Sequence, residues 1–235
     1  MLKEFLLPSV IVAVISYFLG SISFSIIFTK AFAHNTDIRT LGSGNAGATN
    51  VLRSVGPKAA AFTFIFDFAK GAISVLIGRY VFLYIGIMAG VPAETMQYVS
   101  QYGAYIAGVL CVIGHIYPVY FGFKGGKGIL TSAAMIALID WRVFLIVISL
   151  FLLVFITTKI VSLSSILAAA AFPVSSFFIT FFADYRSGRG SVPPTYVFVT
   201  TAIALLMAVI LIYKHKANII RIINGTEKKI TVHKK

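Results

Sequence analysis

Acidic residues are scarce in this chain: 7 Asp and Glu stand against 20 Lys and Arg among 235 residues, for a formal charge of +13. There is one cysteine, Cys111, in an apolar stretch with no second thiol to meet, which excludes a disulfide framework and a cysteine-based zinc site. Charged residues make up only 11% of the chain, and no internal repeat, low-complexity tract or polar appendage interrupts it. A basic nucleic-acid groove needs polar, accessible surroundings, so the positive charge does not point to nucleic acid.

What is abundant is apolar surface, with 59% of the residues hydrophobic and 14% aromatic, too much to hide in one soluble core. The solvent must be lipid, and the expected fold class is an all-α integral membrane protein forming a single polytopic domain over residues 1–235. Apolar runs at 6–28, 59–88, 102–121, 129–139, 143–157, 161–183 and 196–213 predict about seven transmembrane helices. The fourth, at 11 residues, is short for a span. The first run follows one basic residue and lacks a small-residue cleavage site, so it reads as a retained signal anchor.

Basic residues set the orientation. With the N-terminus outside and the C-terminus cytoplasmic, Lys30, Arg39, Arg53, Lys58, Lys124, Lys127, Lys159, Lys214, Lys216, Arg221, Lys228, Lys229, Lys234 and Lys235 all fall on the cytoplasmic side. The outer segments then hold only Lys3, Arg142, Arg186 and Arg189, while Lys70 and Arg79 lie inside the second run.

Three clusters in the cytoplasmic segments carry chemistry. The first runs Gly42-Ser43-Gly44-Asn45-Ala46-Gly47-Ala48-Thr49-Asn50-Val51-Leu52-Arg53. Its small residues allow backbone N–H groups to converge on an anion; Ser43, Thr49 and Asn50 add hydrogen bonds, and Arg53 offers a planar fork to phosphate oxygens. A plain flexible connector would not need the polar residues that interleave these glycines.

The second cluster, from Gly114 to Gly128, holds His115, Lys124, Gly126, Lys127 and Gly128. Lys127 stands at the start of the fourth helix, where a helix N-terminus favours negative charge. The spacing is not that of a Walker A loop, and no Ser or Thr follows the lysine to hold magnesium. A pair of positive-inside lysines in a tight turn is the alternative. The third cluster contains His215 and Asn218, three apart and on one face of a continuing helix, then the turn Asn224-Gly225-Thr226-Glu227. Alone, it also reads as a basic tail attracted to anionic lipid.

Inside the second run, Asp67 and Lys70 are three apart, and an ionisable group within the bilayer costs at least about 2.5 kcal/mol unless paired or wet. A mutual ion pair facing the bundle satisfies both, a structural role, and support of the first loop is the functional alternative. His115 reads as an anchor of the second loop ahead of a catalytic base.

Together these three clusters closely resemble the motifs of the PlsY-type acyl-phosphate:glycerol-3-phosphate acyltransferases of bacteria. The resemblance spans most of the chain in order. It implies an enzyme of the bacterial cytoplasmic (inner) membrane that moves a fatty acyl group from acyl phosphate to the 1-hydroxyl of sn-glycerol 3-phosphate. The products would be lysophosphatidic acid and inorganic phosphate. No cofactor, metal or obligate protein partner is implied, only the two substrates and membrane lipid.

By carry-over Ser43, Arg53, Lys127, His215 and Asn218 would be the catalytic set, holding glycerol 3-phosphate. Gly42, Gly44, Asn45, Gly47, Thr49, Asn50, Lys124, Gly126, Gly128 and Glu227 would complete the substrate contacts, with Asp67, Lys70 and His115 in support. Two departures stand out: Asn45-Ala46-Gly47 where the family commonly has Asn-Pro-Gly, and longer outer segments near 90–100 and 184–195.

Two other readings remain at this point. A carrier of organic phosphates could use the same groups, although carriers usually bind near the midplane and show repeated halves. An acyltransferase using a thioester donor is the other. Such enzymes tend to carry His followed four residues later by Asp, whereas here His34, His115 and His215 are followed at that distance by Ile38, Val119 and Ile219.

Overall fold

A segment in hydrocarbon must satisfy each backbone N–H and C=O within itself, which drives long apolar runs into helices. In the computed structural model, which describes residues 2–188 and 192–230, there are ten α-helices and, among those residues, no strand. Arg189, Lys234, Lys235 and residues 190–191 of the 184–195 segment lie outside the described residues. Six helical stretches are long and apolar enough to cross a membrane, and the segment Ile129–Ile139 is a shorter apolar helix. The chain divides into two compact units, Met1–Ile139 and Asp140–Lys235.

The first unit contains α1 (Leu2–Gly20), α2 (Phe24–Phe32), α3 (Ala48–Ser54), α4 (Pro57–Met88), α5 (Ala93–Ile116) and α6 (Ile129–Ile139). The long α4 is its spine, packing against each of the other five. It meets α5 at Gly78 and Gly103: a Cβ on Gly78 would come within 2.1 Å of Gly103 O, so only glycine allows this approach. Residues 93–100, read from sequence as part of an outer loop, are instead the first turns of α5.

The first apolar run is not one helix. It breaks between Gly20 and Phe24, a stretch with Ser21 and Ser23 buried. A break in a helix leaves carbonyls without partners, and here the Nζ of Lys70 donates to Gly20 O at 3.0 Å and Ile22 O at 2.7 Å. The intramembrane lysine is thus the cap of a broken helix.

Short α6 ends by similar means. Its last carbonyls, Leu138 O and Ile139 O, accept from Arg79 on α4 and Gln101 on α5, and Arg79 also donates to the Gln101 side chain. A cation at a helix C-terminus also complements its dipole.

The second unit contains α7 (Trp141–Thr158), α8 (Val161–Phe178), a π-helical continuation Ile179–Tyr185, α9 (Pro194–Lys214) and α10 (Lys216–Ile223). Helix α8 packs against both α7 and α9. At the start of α7, Asp140 caps the helix through the Arg142 amide, and the Arg142 guanidinium bonds both Asp140 and, twice at 2.7 Å, Asp184 of the π-helical turns. That fork joins α7 to the far end of α8.

Candidate active site

The first loop is folded around one side chain. Asn50 is 3% exposed; its Oδ1 accepts the Ser43 amide at 3.0 Å, and its Nδ2 donates to Leu41 O at 3.0 Å, Asn45 O at 3.1 Å and Ile38 O at 3.3 Å. Its amide group is committed to its own loop, which makes Asn50 a positioning residue where the sequence suggested a phosphate ligand. Gly42 and Gly44 adopt φ of +56° and +70°, the left-handed region open to glycine, and so let the chain curl around it.

Convergence of amides is partial. Those of Gly44, Gly47 and Asn50 bond to Leu41, Asn45 and Gly47 carbonyls. Among the described residues, the amides of Asn45, Ala46, Ala48 and Thr49 have no protein acceptor. These four, and not the amides of Gly44, Gly47 and Asn50, can meet an anion. Ser43 and Arg53 are exposed and Thr49 is half-buried.

The second loop doubles back on the end of α5. The amides of Gly125 and Gly126 donate to Ile116 O and His115 O at 3.2 and 3.1 Å, satisfying carbonyls at a helix end. Gly126 was expected to touch substrate; its amide is instead internal, and what it provides is room. A Cβ there would fall 2.2 Å from His115 Nε2 and 2.5 Å from Ala46 O. Gly128, with φ of +85° and buried against Val112, shapes the entry to α6 and likewise has a structural task. Lys124 is exposed, and half-buried Lys127 stands two residues before the first residue of α6.

Two contacts bring the first and second loops together. One is the packing of Gly126 against Ala46 O. The other is Arg39, which donates to Phe121 O at 2.7 Å while its guanidinium is gripped by Asp37. The hydrogen bond from Arg39 holds the Asp37 carboxyl below its ordinary pKa, so the pair stays charged. Sequence reasoning missed Asp37 and counted Arg39 only for orientation. An Asp two residues before an Arg at a helical turn, with its side chain capping the Arg amide, was the available signal.

Beneath the loops lies a buried ionic group. Lys70 Nζ is 2.8 Å from Asp67 Oδ1, and His115 Nδ1 is 3.6 Å from the same oxygen. His115 therefore stands between the Asp67 carboxylate and Gly126, linking membrane-embedded charge to the loop.

The third cluster belongs to the second unit. His215 joins α9 to α10, and its Nδ1 lies 2.7 Å from Leu211 O. A carbonyl can only accept, so Nδ1 carries the proton and Nε2 is the acceptor nitrogen of the neutral ring. The ring takes the carbonyl four residues back, and the His215 amide turns to Ile212 O instead, which ends α9 there.

Glu227, expected among the substrate contacts, organises this cluster. Its Oε1 accepts from Asn218 Nδ2 at 2.6 Å and Ser162 Oγ at 2.7 Å, and its Oε2 pairs with Arg221 Nε at 2.6 Å. Burial pushes its carboxyl up, but the bonds from Ser162, Asn218 and Arg221 together outweigh that and leave it below the ordinary value. A carboxylate so held would repel phosphate; it positions Asn218. Ser162 had no sequence signal beyond composition, and Arg221 was counted only for orientation.

The sequence profile of glycerol-3-phosphate acyltransferases matches residues 10–225. The glycerol-3-phosphate acyltransferase of Prochlorococcus marinus (strain MIT 9215) is 39% identical over 222 residues, covering 94% of this chain and 98% of that protein. That of Clostridioides difficile (strain 630) is 38% identical over 221 residues, covering 94% and 95%. Among solved structures, the crystal structure of PlsY, an integral membrane glycerol 3-phosphate acyltransferase, in its glycerol 3-phosphate form is similar with a TM-score of 0.70 at 32% identity, covering 95% of this chain and 96% of that one. Its lysophosphatidic acid form gives a TM-score of 0.67 at 31% identity. With two loops packed into one structure and a family profile that runs through the first two clusters and the third as far as Gly225, the chain belongs to the glycerol-3-phosphate acyltransferase family of integral membrane enzymes.

Proposed function

We propose that this enzyme transfers a fatty acyl group from acyl phosphate to the 1-hydroxyl of sn-glycerol 3-phosphate, releasing lysophosphatidic acid and inorganic phosphate. The observation that carries the reading is the packing of the first two loops, Ala46 O against Gly126, in a region bearing Arg53, Lys124, Lys127 and four unpaired amides. Two substrates with about two negative charges each repel one another, and cations with fixed amides offset that repulsion.

In this reading Ser43, Arg53, Lys127, His215 and Asn218 hold glycerol 3-phosphate. The amides of Asn45, Ala46, Ala48 and Thr49, with the Thr49 hydroxyl, hold the donor's phosphate. The glycerol oxygen attacks the acyl carbon, the carbon–oxygen bond to phosphate breaks, and the departing phosphate takes the hydroxyl proton. The donor is a mixed anhydride with a good leaving group, so orientation and charge neutralisation can supply much of the acceleration. No covalent nucleophile is required.

The bias of basic residues supports an N-terminus outside and a C-terminus in the cytoplasm. The bacterial origin of the relatives supports the cytoplasmic membrane as its location. The test supplies purified enzyme and labelled glycerol 3-phosphate with a long-chain acyl phosphate, an acyl-CoA or an acyl carrier protein thioester in separate reactions. Lysophosphatidic acid with acyl phosphate alone is expected. Product with a thioester only would overturn the donor assignment, and uptake into vesicles without chemistry would favour a carrier.

A further inference from the structure

Helix α10 has two unlike sides. Its inner side carries Asn218, 6% exposed and bonded to Glu227. Its outer side presents Lys216, Ala217, Ile220 and Ile223, with the two isoleucines 59% and 78% exposed, and the exposed Lys228 and Lys229 follow.

Where this helix begins matters. Only His215 separates it from α9, a 21-residue apolar helix long enough to span, so α10 starts where a span leaves the hydrocarbon. Tyr213 at that boundary is 60% exposed, and Lys216 Nζ lies 5.1 Å from its ring. An aromatic ring with a cation beside it is a common arrangement at the headgroup level. An eight-residue helix is too short to persist alone in water, so contacts must hold it. Glu227 supplies them on the inner side; the outer side has Lys216 and two bare isoleucines, and the exposed Lys228 and Lys229 come after the helix.

Charge selects the occupant. Between Pro194 and Ile230 the only acidic residue is Glu227, and it is already paired with Arg221. A second copy of this chain would bring the same positive charge. Inorganic phosphate would meet the lysines and leave the isoleucines in water. An anionic phospholipid answers both, with headgroup phosphate for the cations and the acyl boundary for Ile220 and Ile223.

We propose that α10 is an interfacial helix docked on anionic phospholipid in the leaflet where α9 ends, and that this docking steadies Asn218 and His215. Lys216, Lys228 and Lys229 engage headgroups. The inference reaches beyond the reaction, and its first readout is independent of the acyl donor.

The experiment places the full chain in nanodiscs of phosphatidylcholine alone or of equal parts phosphatidylcholine and phosphatidylglycerol, and follows amide hydrogen exchange over residues 216–229. Exchange about tenfold slower in the anionic discs is expected, because each lysine near such a surface contributes appreciably to attraction. The Lys216→Gln/Lys228→Gln/Lys229→Gln variant should lose that difference, and Ile223→Ser should exchange faster in both discs. Inorganic phosphate added to neutral discs at matched ionic strength should not reproduce the slowing.

Kinetics give a second reading. An anionic surface repels glycerol 3-phosphate from every variant alike, so the quantity to compare is the ratio of triple-variant KM to wild-type KM. That ratio should be larger in anionic than in neutral discs. Equal exchange of wild-type α10 in both discs, or full slowing retained by the triple variant, would overturn the proposal.

Discussion

The imidazole of His115 lies against Gly126 so closely that a Cβ on the glycine would stand 2.2 Å from Nε2, with Ala46 O of the first loop only 2.5 Å away on another side. One absent methyl group therefore keeps the two loops in contact. Gly126→Ala should lower kcat/KM by about tenfold or more, since overpacking a tight site costs about 1–3 kcal/mol. Gly122→Ala is the comparison: it has open space around it and only a φ of +66° to strain, so a smaller loss is expected. Equal losses in the two variants would remove the significance given to the His115–Gly126 contact.

Arg53 and Lys127 are the cations assigned to substrate phosphate. Replacing either with Ala should reduce kcat/KM by about a hundredfold or more, as does removal of a group that stabilises developing charge. Arg53→Lys should recover only part of the loss, because an ammonium lacks the planar fork. Steady-state kinetics close to wild type in both alanine variants would reject these phosphate contacts.

Much of this was legible in the sequence, and the parts that were not share a cause. Apolar length marked the six helical stretches that are long and apolar enough to cross a membrane, where about seven crossings were expected, and the short α6 runs over the 11 residues of the fourth run. The break after Gly20 was hidden because Ser21-Ile22-Ser23 fits an apolar run, and what makes it tolerable is Lys70, some fifty positions along the chain. Asn50, Gly126 and Glu227 stand in motifs rich in phosphate-binding residue types, yet their own polar groups are occupied by protein partners. Residue type tells what a group can bind; only the fold tells what it already has.

His215 separates binding from base catalysis. Its Nδ1 donates to Leu211 O, which fixes the ring, and in the proposed reaction the hydroxyl proton departs with phosphate. His215→Ala should raise the KM for glycerol 3-phosphate by about tenfold, as a lost hydrogen bond at a polar site does, and lower kcat less. A collapse of turnover with substrate affinity unchanged would make His215 the general base.

Glu227 sets a pH expectation. Its folded pKa lies below the ordinary value of 4.5, so its anchoring contribution is complete above that value and is lost only as pH falls through the depressed one. From pH 6 to 9 this carboxylate should add no inflection to the KM profile for glycerol 3-phosphate. Glu227→Gln should raise KM several-fold through the lost Arg221 ion pair, without changing the shape of the profile across that range. An inflection present in wild type and absent in the variant would show that Glu227 titrates there and is not held as described.

The Asp67–Lys70 pair offers the clearest thermodynamic test, since both side chains are 1% exposed and Lys70 also caps Gly20 and Ile22. Lys70→Met would leave a carboxylate buried beside His115 and two carbonyls without a donor; Asp67→Asn would leave an ammonium with only those carbonyls. Breaking a buried pair from one side costs about 3–5 kcal/mol, whereas removing both charges often costs much less. The two single variants should therefore melt well below wild type in detergent, Lys70→Met lowest because it loses the cap as well. The double variant should melt above Lys70→Met, because the orphaned charge is gone while the uncapped break remains. Additive losses in the double variant would mean the two residues act separately, and the ion pair would then not be what holds this part of the bundle.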